Sequence, residues 1–272
     1  MSGEGPAGQD GENGLLLRKH GQVATVVINR PEQRNAISHA MWQRMPSLFR
    51  ELEADPDVRV VLLTGAGNKA FSAGADIKDF EESRSTPKKA SDYRGHVESA
   101  CEALGALSKP TIAVIRGYCI GGGFELSLCA DLRIGSTDAQ TGLPAAKRGL
   151  AAAHHFVERM VALCGAGHTA YLLLSGRLVD ASTAASMGIL NAVHPAGELD
   201  GAVQQLVDEM LELSPVSLRL HKAIIRDIVE YGSRHHVPAD RLAAASEAER
   251  SEDFKEGVRA FLEKRKPRFP GR

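Results

Sequence analysis

The chain carries almost no net charge. Its 33 Lys and Arg residues meet 34 Asp and Glu residues, which leaves −1 at neutral pH. No global field draws it onto nucleic acid or an anionic membrane. No run of about 18 apolar residues occurs, so no membrane span is expected. Cysteines are few: Cys101, Cys119, Cys129 and Cys164, with no Cys-x-x-Cys spacing. They read as buried free thiols in a reducing cytosol, and a cytoplasmic location is expected. There is no His-Glu-x-x-His. The pairs His154-His155 and His235-His236 are chain neighbours that point apart, so no metal is expected. Aromatics are sparse, at 5% with one tryptophan. Residues 1–14 are Gly-rich and acidic without an apolar core segment. They fit neither a signal peptide nor a transit peptide, and a flexible tail is expected.

What is present is an ordinary globular composition, 43% hydrophobic and 25% charged over 272 residues. That length suits one large domain or two small ones and a sizeable core. Val23 to Asn29 is short and β-branched and reads as a strand. Ser38 can cap a helix running to about Asp55, with Pro46 expected to kink or split it. Val58 to Thr64 and Lys109 to Ile115 read as further strands. Between them, the polar stretch Glu81 to Lys89 is expected to be a mobile surface segment, and Ser91 to Leu107 a helix. A short helix to about Ala130 then precedes a strand at Leu132–Ile134. Strands alternating with helices imply a largely parallel α/β arrangement. After about residue 195 the pattern turns helical. The expected division is a tail at 1–14, a core at 15–200 and a helical region at 201–272.

The most informative stretch runs from Arg116 to Leu128, where a strand meets Gly121-Gly122-Gly123 and a helix begins. Glycines let backbone N–H groups approach a ligand, and a helix start adds unpaired donors. Such a turn stabilises an oxyanion, binds phosphate, or simply packs tightly. Glu125, in the first helical turn, reads either as a cap or as a general acid/base beside those donors. The small-residue loop Lys69 to Asp76 can supply a second donor. It nearly matches a nucleophile elbow around Ser72, but lacks the first glycine and a helix directly after the serine. Gly165-Ala-Gly167-His-Thr-Ala170 matches a dinucleotide fingerprint. It follows helical spacing, so it reads as a helix–helix connection. The basic run from Glu256 to Arg272 reads as a solvated helix end or a phosphate contact.

Taken together, these motifs resemble the crotonase superfamily, the enoyl-CoA hydratase/isomerase family. The resemblance rests on Asn29-Arg-Pro-Glu-Gln-Arg-Asn-Ala36, Phe71-Ser-Ala-Gly-Ala-Asp-Ile-Lys78 and Gly117-Tyr-Cys-Ile-Gly-Gly-Gly-Phe-Glu125. It continues through Ser175 to Ala181, Met187 to Asn191 and the tail from Phe254, and spans about Leu15 to Arg272. It implies a spiral of β-β-α turns with a helical C-terminal trimerisation region, trimers commonly pairing into hexamers. It implies an acyl-CoA thioester as substrate, with coenzyme A as part of that substrate and no separate cofactor. By motif, the N–H groups of Ala75 and Gly122 form an oxyanion hole, and Glu125 is an acid/base. Lys78, Arg34, Phe261 and Lys264 are the implied coenzyme A contacts, the last two reaching a neighbouring subunit's ligand.

One departure stands out. The family's hydratases hold a water between two glutamates, and the second position here is Ala145. Alanine transfers no proton, and losing one such group typically costs roughly 10²–10⁴ in rate. His154 or His155 is a candidate replacement. An enoyl-CoA hydratase-type enzyme is the leading reading. An isomerase, other CoA-thioester chemistry and a non-catalytic acyl-CoA-binding protein remain the alternatives. The near-zero net charge argues against an RNA-binding member.

Overall fold

Three successive strand–strand–helix turns form the centre of the molecule. The computed structural model describes residues 12–272. The chain enters through a hairpin, β1 (Leu15–His20) and β2 (Val23–Ile28), then helix α1 (His39–Ala54). The first turn is β3 (Val60–Gly65), β4 (Ala70–Ser72) and two helices, α2 (Ile77–Ser83) and α3 (Pro87–Ala106). The second is β5 (Thr111–Ile115), β6 (Tyr118–Ile120) and α4 (Gly122–Cys129). The third is β7 (Leu132–Ser136), β8 (Gln140–Gly142) and α5 (His154–Ser175). Then follow β9 (Val179–Asp180), α6 (Ala181–Ser186), β10 (Ala192–His194) and four helices: α7 (Leu199–Leu211), α8 (Pro215–Tyr231), α9 (Ala244–Arg250) and α10 (Glu252–Leu262).

The first strand of each turn joins a six-stranded sheet, β1-β2-β3-β5-β7-β10, parallel except for the β1–β2 hairpin. The second strands form a four-stranded sheet, β4-β6-β8-β9. This is the expected spiral of β-β-α turns. A strand covered on both faces needs an apolar residue at every position, because its side chains alternate between the two sides. All five residues of strand β5 are buried: Ile112 to Ile115 are apolar, and the hydroxyl of Thr111 is satisfied by the Asp131 carboxylate at 2.8 Å. Ala113 and Ile115 join the core that holds α1 and α3, while Ile112 and Val114 pack with Leu199, Val203 and Val207 of α7. Each fully buried aliphatic side chain contributes about 1.5–3 kcal/mol.

Several expectations are corrected here. Pro46 does not split α1, which runs unbroken through it. A mid-helix proline costs about 3 kcal/mol, and the seven buried residues of α1, Trp42 and Phe49 among them, offset that locally. Glu81 to Lys89 is not a loop. It holds the end of α2 and the start of α3, where Thr86 caps the helix through the Lys89 N–H and Pro87 occupies the first turn. Polar composition hid a proline placed where a helix tolerates it. The division at 200/201 cuts α7, whose buried face belongs to the sheet; the helices that stand outside the sheet core begin with α8. Of the expected tail, residues 1–11 lie outside the described residues. Glu12–Gly14 forms a 3₁₀ turn, and the Gly14 carbonyl accepts the Asn29 N–H at 2.7 Å. Among the described residues no helix is long and apolar enough to cross a membrane.

Asn35 ties the loop after β2 to the loop before β4. It is buried with a left-handed φ of 56°. Its Nδ2 donates to the carbonyls of Ala66 and Ala70 at 2.9 and 2.7 Å, and its Oδ1 accepts the Arg30 N–H at 3.0 Å. Asn35→Ala leaves those buried groups unpaired and puts alanine in left-handed backbone. Urea unfolding is expected to show a loss of about 2–4 kcal/mol; a change under 0.5 kcal/mol would show that water replaces the amide.

Candidate active site

The ends of β4 and β6 bring two backbone turns against each other. A methyl group on Gly74 would lie 3.0 Å from the Ile120 carbonyl oxygen and 3.6 Å from the Gly122 nitrogen. One on Gly122 would lie 3.0 Å from the Trp42 indole and 3.9 Å from the Ala75 nitrogen. Gly121, which precedes α4, has φ 59° and ψ −129°, a conformation open essentially to glycine alone. The neighbouring N–H groups are engaged. Gly74 donates to Ser72 Oγ at 3.2 Å, Asp76 to the Ile37 carbonyl at 3.0 Å, and Gly121 to the Gly142 carbonyl at 3.0 Å. The N–H groups of Ala75 and Gly122 have no acceptor among the described residues. Two unspent donors therefore stand side by side, one of them at a helix start, where the peptide dipoles favour negative charge.

Ser72 is not a nucleophile in waiting. It is fully buried, and a methyl group on Gly123 would lie 2.4 Å from its Cβ. Its hydroxyl braces the Gly74 turn. The Gly165-Ala-Gly167 motif likewise proves structural: Gly165, at φ 74° and ψ 163°, breaks α5 into two helical runs.

Both donors line a cavity of about 280 Å³. Glu125 lines it too, one helical turn beyond Gly121. Its side chain makes no capping bond, and no donor among the described residues hydrogen-bonds to it. Burial pushes its carboxyl from an ordinary 4.5 to about 7, against the pull of the Arg84 guanidinium. A group with that value takes and gives protons at neutral pH. Ala145, which opens the 3₁₀ turn Ala145–Arg148, also lines the cavity.

Trp42 and Tyr93 form a stiff side of the cavity. The indole Nε1 donates to the Tyr93 hydroxyl at 3.1 Å, and the Arg84 guanidinium carbon stands 4.7 Å from the Tyr93 ring centroid. Burial raises the Tyr93 pKa, which keeps the phenol neutral. His155 reaches the cavity wall, with Nδ1 3.3 Å from the Glu98 carboxylate. His154 is exposed and is not among the described lining residues. Only one of the two candidate histidines is thus in position.

Of the residues implied by resemblance, Ala75, Gly122 and Glu125 meet in this cavity. Arg34 and Lys78 lie beside the same loop but outside the cavity lining. The Arg34 carbonyl accepts the Ala73 N–H at 2.9 Å, and its guanidinium stands 5.7 Å from the Tyr118 ring centroid. Lys78 is exposed in the first turn of α2, where its N–H bonds the capping Asp76 carboxylate at 2.9 Å. An ion pair of 2.6 Å with Arg30 holds Asp76 in place. Burial works against the Asp76 charge, yet that partner and the Lys78 N–H keep its pKa below the ordinary value. Phe261 and Lys264 are exposed at the end of α10, and neither lines the cavity. Arg84 and Tyr93 lie in the segment Glu81 to Tyr93, which the family resemblance places beside the acyl pocket, whereas sequence reasoning missed Trp42, Arg94 and Arg148, which come from segments up to about a hundred residues apart. No spacing signal links them.

Comparison with known proteins shows the family and the fold. Residues 18–272 match the family model described as Enoyl-CoA hydratase/isomerase. A Short-chain-enoyl-CoA hydratase from Clostridium acetobutylicum is 32% identical over 254 residues, covering 93% of this chain and 96% of that protein. A Crotonyl-CoA hydratase from Syntrophomonas wolfei is 31% identical over 257 residues, covering 94% and 97%. The crystal structure of an enoyl-CoA hydratase/carnithine racemase from Magnetospirillum magneticum superposes with a TM-score of 0.91 at 32% identity, covering 96% of this chain and 97% of that one. With the family model matched over almost the whole chain and the fold shared with its solved members, this chain belongs to the enoyl-CoA hydratase/isomerase family of the crotonase superfamily.

Proposed function

We propose that this chain hydrates the double bond of an enoyl-CoA thioester, with Glu125 as the acid/base. The observation that carries the reading is one carboxyl, poised near neutrality, in the same cavity as two unspent N–H groups. The Ala75 and Gly122 N–H groups receive the thioester oxygen as negative charge develops on it. Removing one such donor from comparable sites costs roughly 10²–10³ in rate. Ionised Glu125 takes a proton from water while the hydroxyl adds at Cβ. The electron pair of the double bond moves through Cα onto the thioester oxygen. Glu125 then returns its proton to Cα, and the carbonyl re-forms. One carboxyl suffices for this cycle, because the proton taken is the proton given back.

Ala145 rules out isomerase chemistry that relies on a glutamate at that position, so the alternative is one that uses Glu125 alone. Double-bond isomerisation also needs a single shuttle, which removes a proton at one carbon and returns it at another. The two readings separate in one assay, the loss of enoyl-thioester absorbance of crotonoyl-CoA. Wild type is expected to turn over. Glu125→Gln is expected to fall by roughly 10²–10⁴, with butyryl-CoA binding retained. A silent wild type beside an active Ala145→Glu would instead favour isomerisation. No effect of Glu125→Gln on either reaction would refute the assigned role. Because the ionised form starts the cycle, kcat/KM is expected to rise with pH and level off above about 7.

The raised pKa also predicts a stability effect. The folded protein holds this proton up to about 7, whereas the unfolded chain releases it near 4.5. Between those values the folded state binds more protons, so stability falls as pH rises through that window. Glu125→Gln removes the penalty. The variant is expected to be more stable than wild type by about 3 kcal/mol at pH 8, and nearly equal to it at pH 4. Equal stability at both values would mean that the carboxyl is solvated.

Self-association completes the reading. On α10, Phe254, Val258, Phe261 and Leu262 leave 51%, 45%, 83% and 74% of their surface exposed. The spacing places them on one face, which needs a covering surface. We assign that surface to a trimer, where Phe261 and Lys264 approach a neighbour's coenzyme A. Sedimentation is expected to show a trimer or hexamer that Val258→Glu dissociates; a wild-type monomer would contradict the assignment.

A further inference from the structure

Glu125 is the only acid among the described residues that line the cavity, while three arginines and one histidine line it. Each cation comes from a different place. Arg84 ends α2, and Arg94 sits in the second turn of α3. Arg148 ends the Ala145–Arg148 turn, and His155 is the second residue of α5. The side chains of Arg94 and Arg148 make no ion pair or hydrogen bond among the described residues. The first residue of α5 follows Ala153, which supplies no side-chain cap and also lines the cavity, so helix N–H groups add positive potential there. A hydrocarbon acyl chain has nothing to offer these groups, and guanidinium is the side chain best matched to a carboxylate. The volume, about 280 Å³, lies at the low end for a ligand pocket and suits a short acyl group.

Building on the acyl-CoA reading, we propose that the acyl group carries a carboxylate at the end remote from the thioester, held by Arg94 and Arg148 with Arg84. The substrate class is then the thioester of a short dicarboxylic acid rather than of a simple fatty acid. The same arrangement repels an acyl end that bears a cation. The phosphates of coenzyme A are the other anions that could claim these arginines, so the test must separate the two ends of the ligand.

The test is calorimetric titration of the intact protein with four unreactive probes: coenzyme A, butyryl-CoA, glutaryl-CoA and 4-(trimethylammonio)butyryl-CoA. Glutaryl-CoA is expected to bind roughly tenfold or more tighter than butyryl-CoA, and the ammonio thioester weaker than both. Arg94→Gln and Arg148→Gln are each expected to lower the glutaryl-over-butyryl preference several-fold while leaving butyryl-CoA affinity in place. These residues are exposed, so both variants should fold even if Arg84→Gln, which disturbs the Tyr93 stack, does not. Equal affinity for glutaryl-CoA and butyryl-CoA would overturn the proposal and leave the acyl-CoA reading standing. So would variants that weaken coenzyme A and all its thioesters by one common factor, which would give the arginines to the phosphates. Failure of every thioester to bind would overturn both readings together.

Discussion

Two backbone turns, at residues 73–75 and 121–123, can meet only because their contact positions carry no side chain. The clearances on Gly74, Gly122 and Gly123 run from 2.4 to 3.0 Å for an added methyl group, and the groups met are backbone, an indole and a buried serine. None of these can step aside cheaply in an interior packed to crystal density. Much of the surrounding architecture serves this approach. Asn35 fastens the loop before β4, Ser72 braces the Gly74 turn, and Trp42 lies against Gly122. In the four-stranded sheet β4 and β6 run parallel and side by side, so both turns leave from the same edge.

That approach sets the electrostatics. The donors of Ala75 and Gly122 have no protein acceptor among the described residues, which is costly unless a ligand oxygen or water fills the place. Glu125, on the helix that begins at the same turn, bears the opposite strain: its charge is disfavoured by burial and only partly relieved by Arg84. The folded protein holds a carboxyl at the edge of ionisation and two donors without partners, and both features cost stability. A catalytic site accepts such costs because the same groups are matched to a charge that exists only during reaction.

Much of this was legible in the sequence. Gly121-Gly122-Gly123 followed by Glu125 announces a strand-to-helix turn with an acid on it, because only glycine tolerates that backbone. The Lys69 to Asp76 loop is recognisable by its small residues. Alternating strands and helices with a helical end give the parallel spiral once the resemblance is noticed. Other features depend on tertiary context. Pro46 reads locally as a helix breaker, yet the buried face of α1 outweighs it. The α2–α3 segment reads as a loop because its charged surface hides the cap at Thr86. A boundary at residue 200 falls inside α7, because an amphipathic helix on a sheet and one on a partner look alike in sequence. Arg94 and Arg148 leave no trace, since the fold alone gathers them.

The central claim is that this cavity stabilises an enolate with Glu125 as its base, whichever net reaction the enzyme performs. Exchange at Cα reports on that step alone. With butyryl-CoA in deuterated water near pD 8, wild type is expected to place deuterium at Cα, and Glu125→Gln to place essentially none. Tight binding of butyryl-CoA by wild type without any exchange would contradict the account.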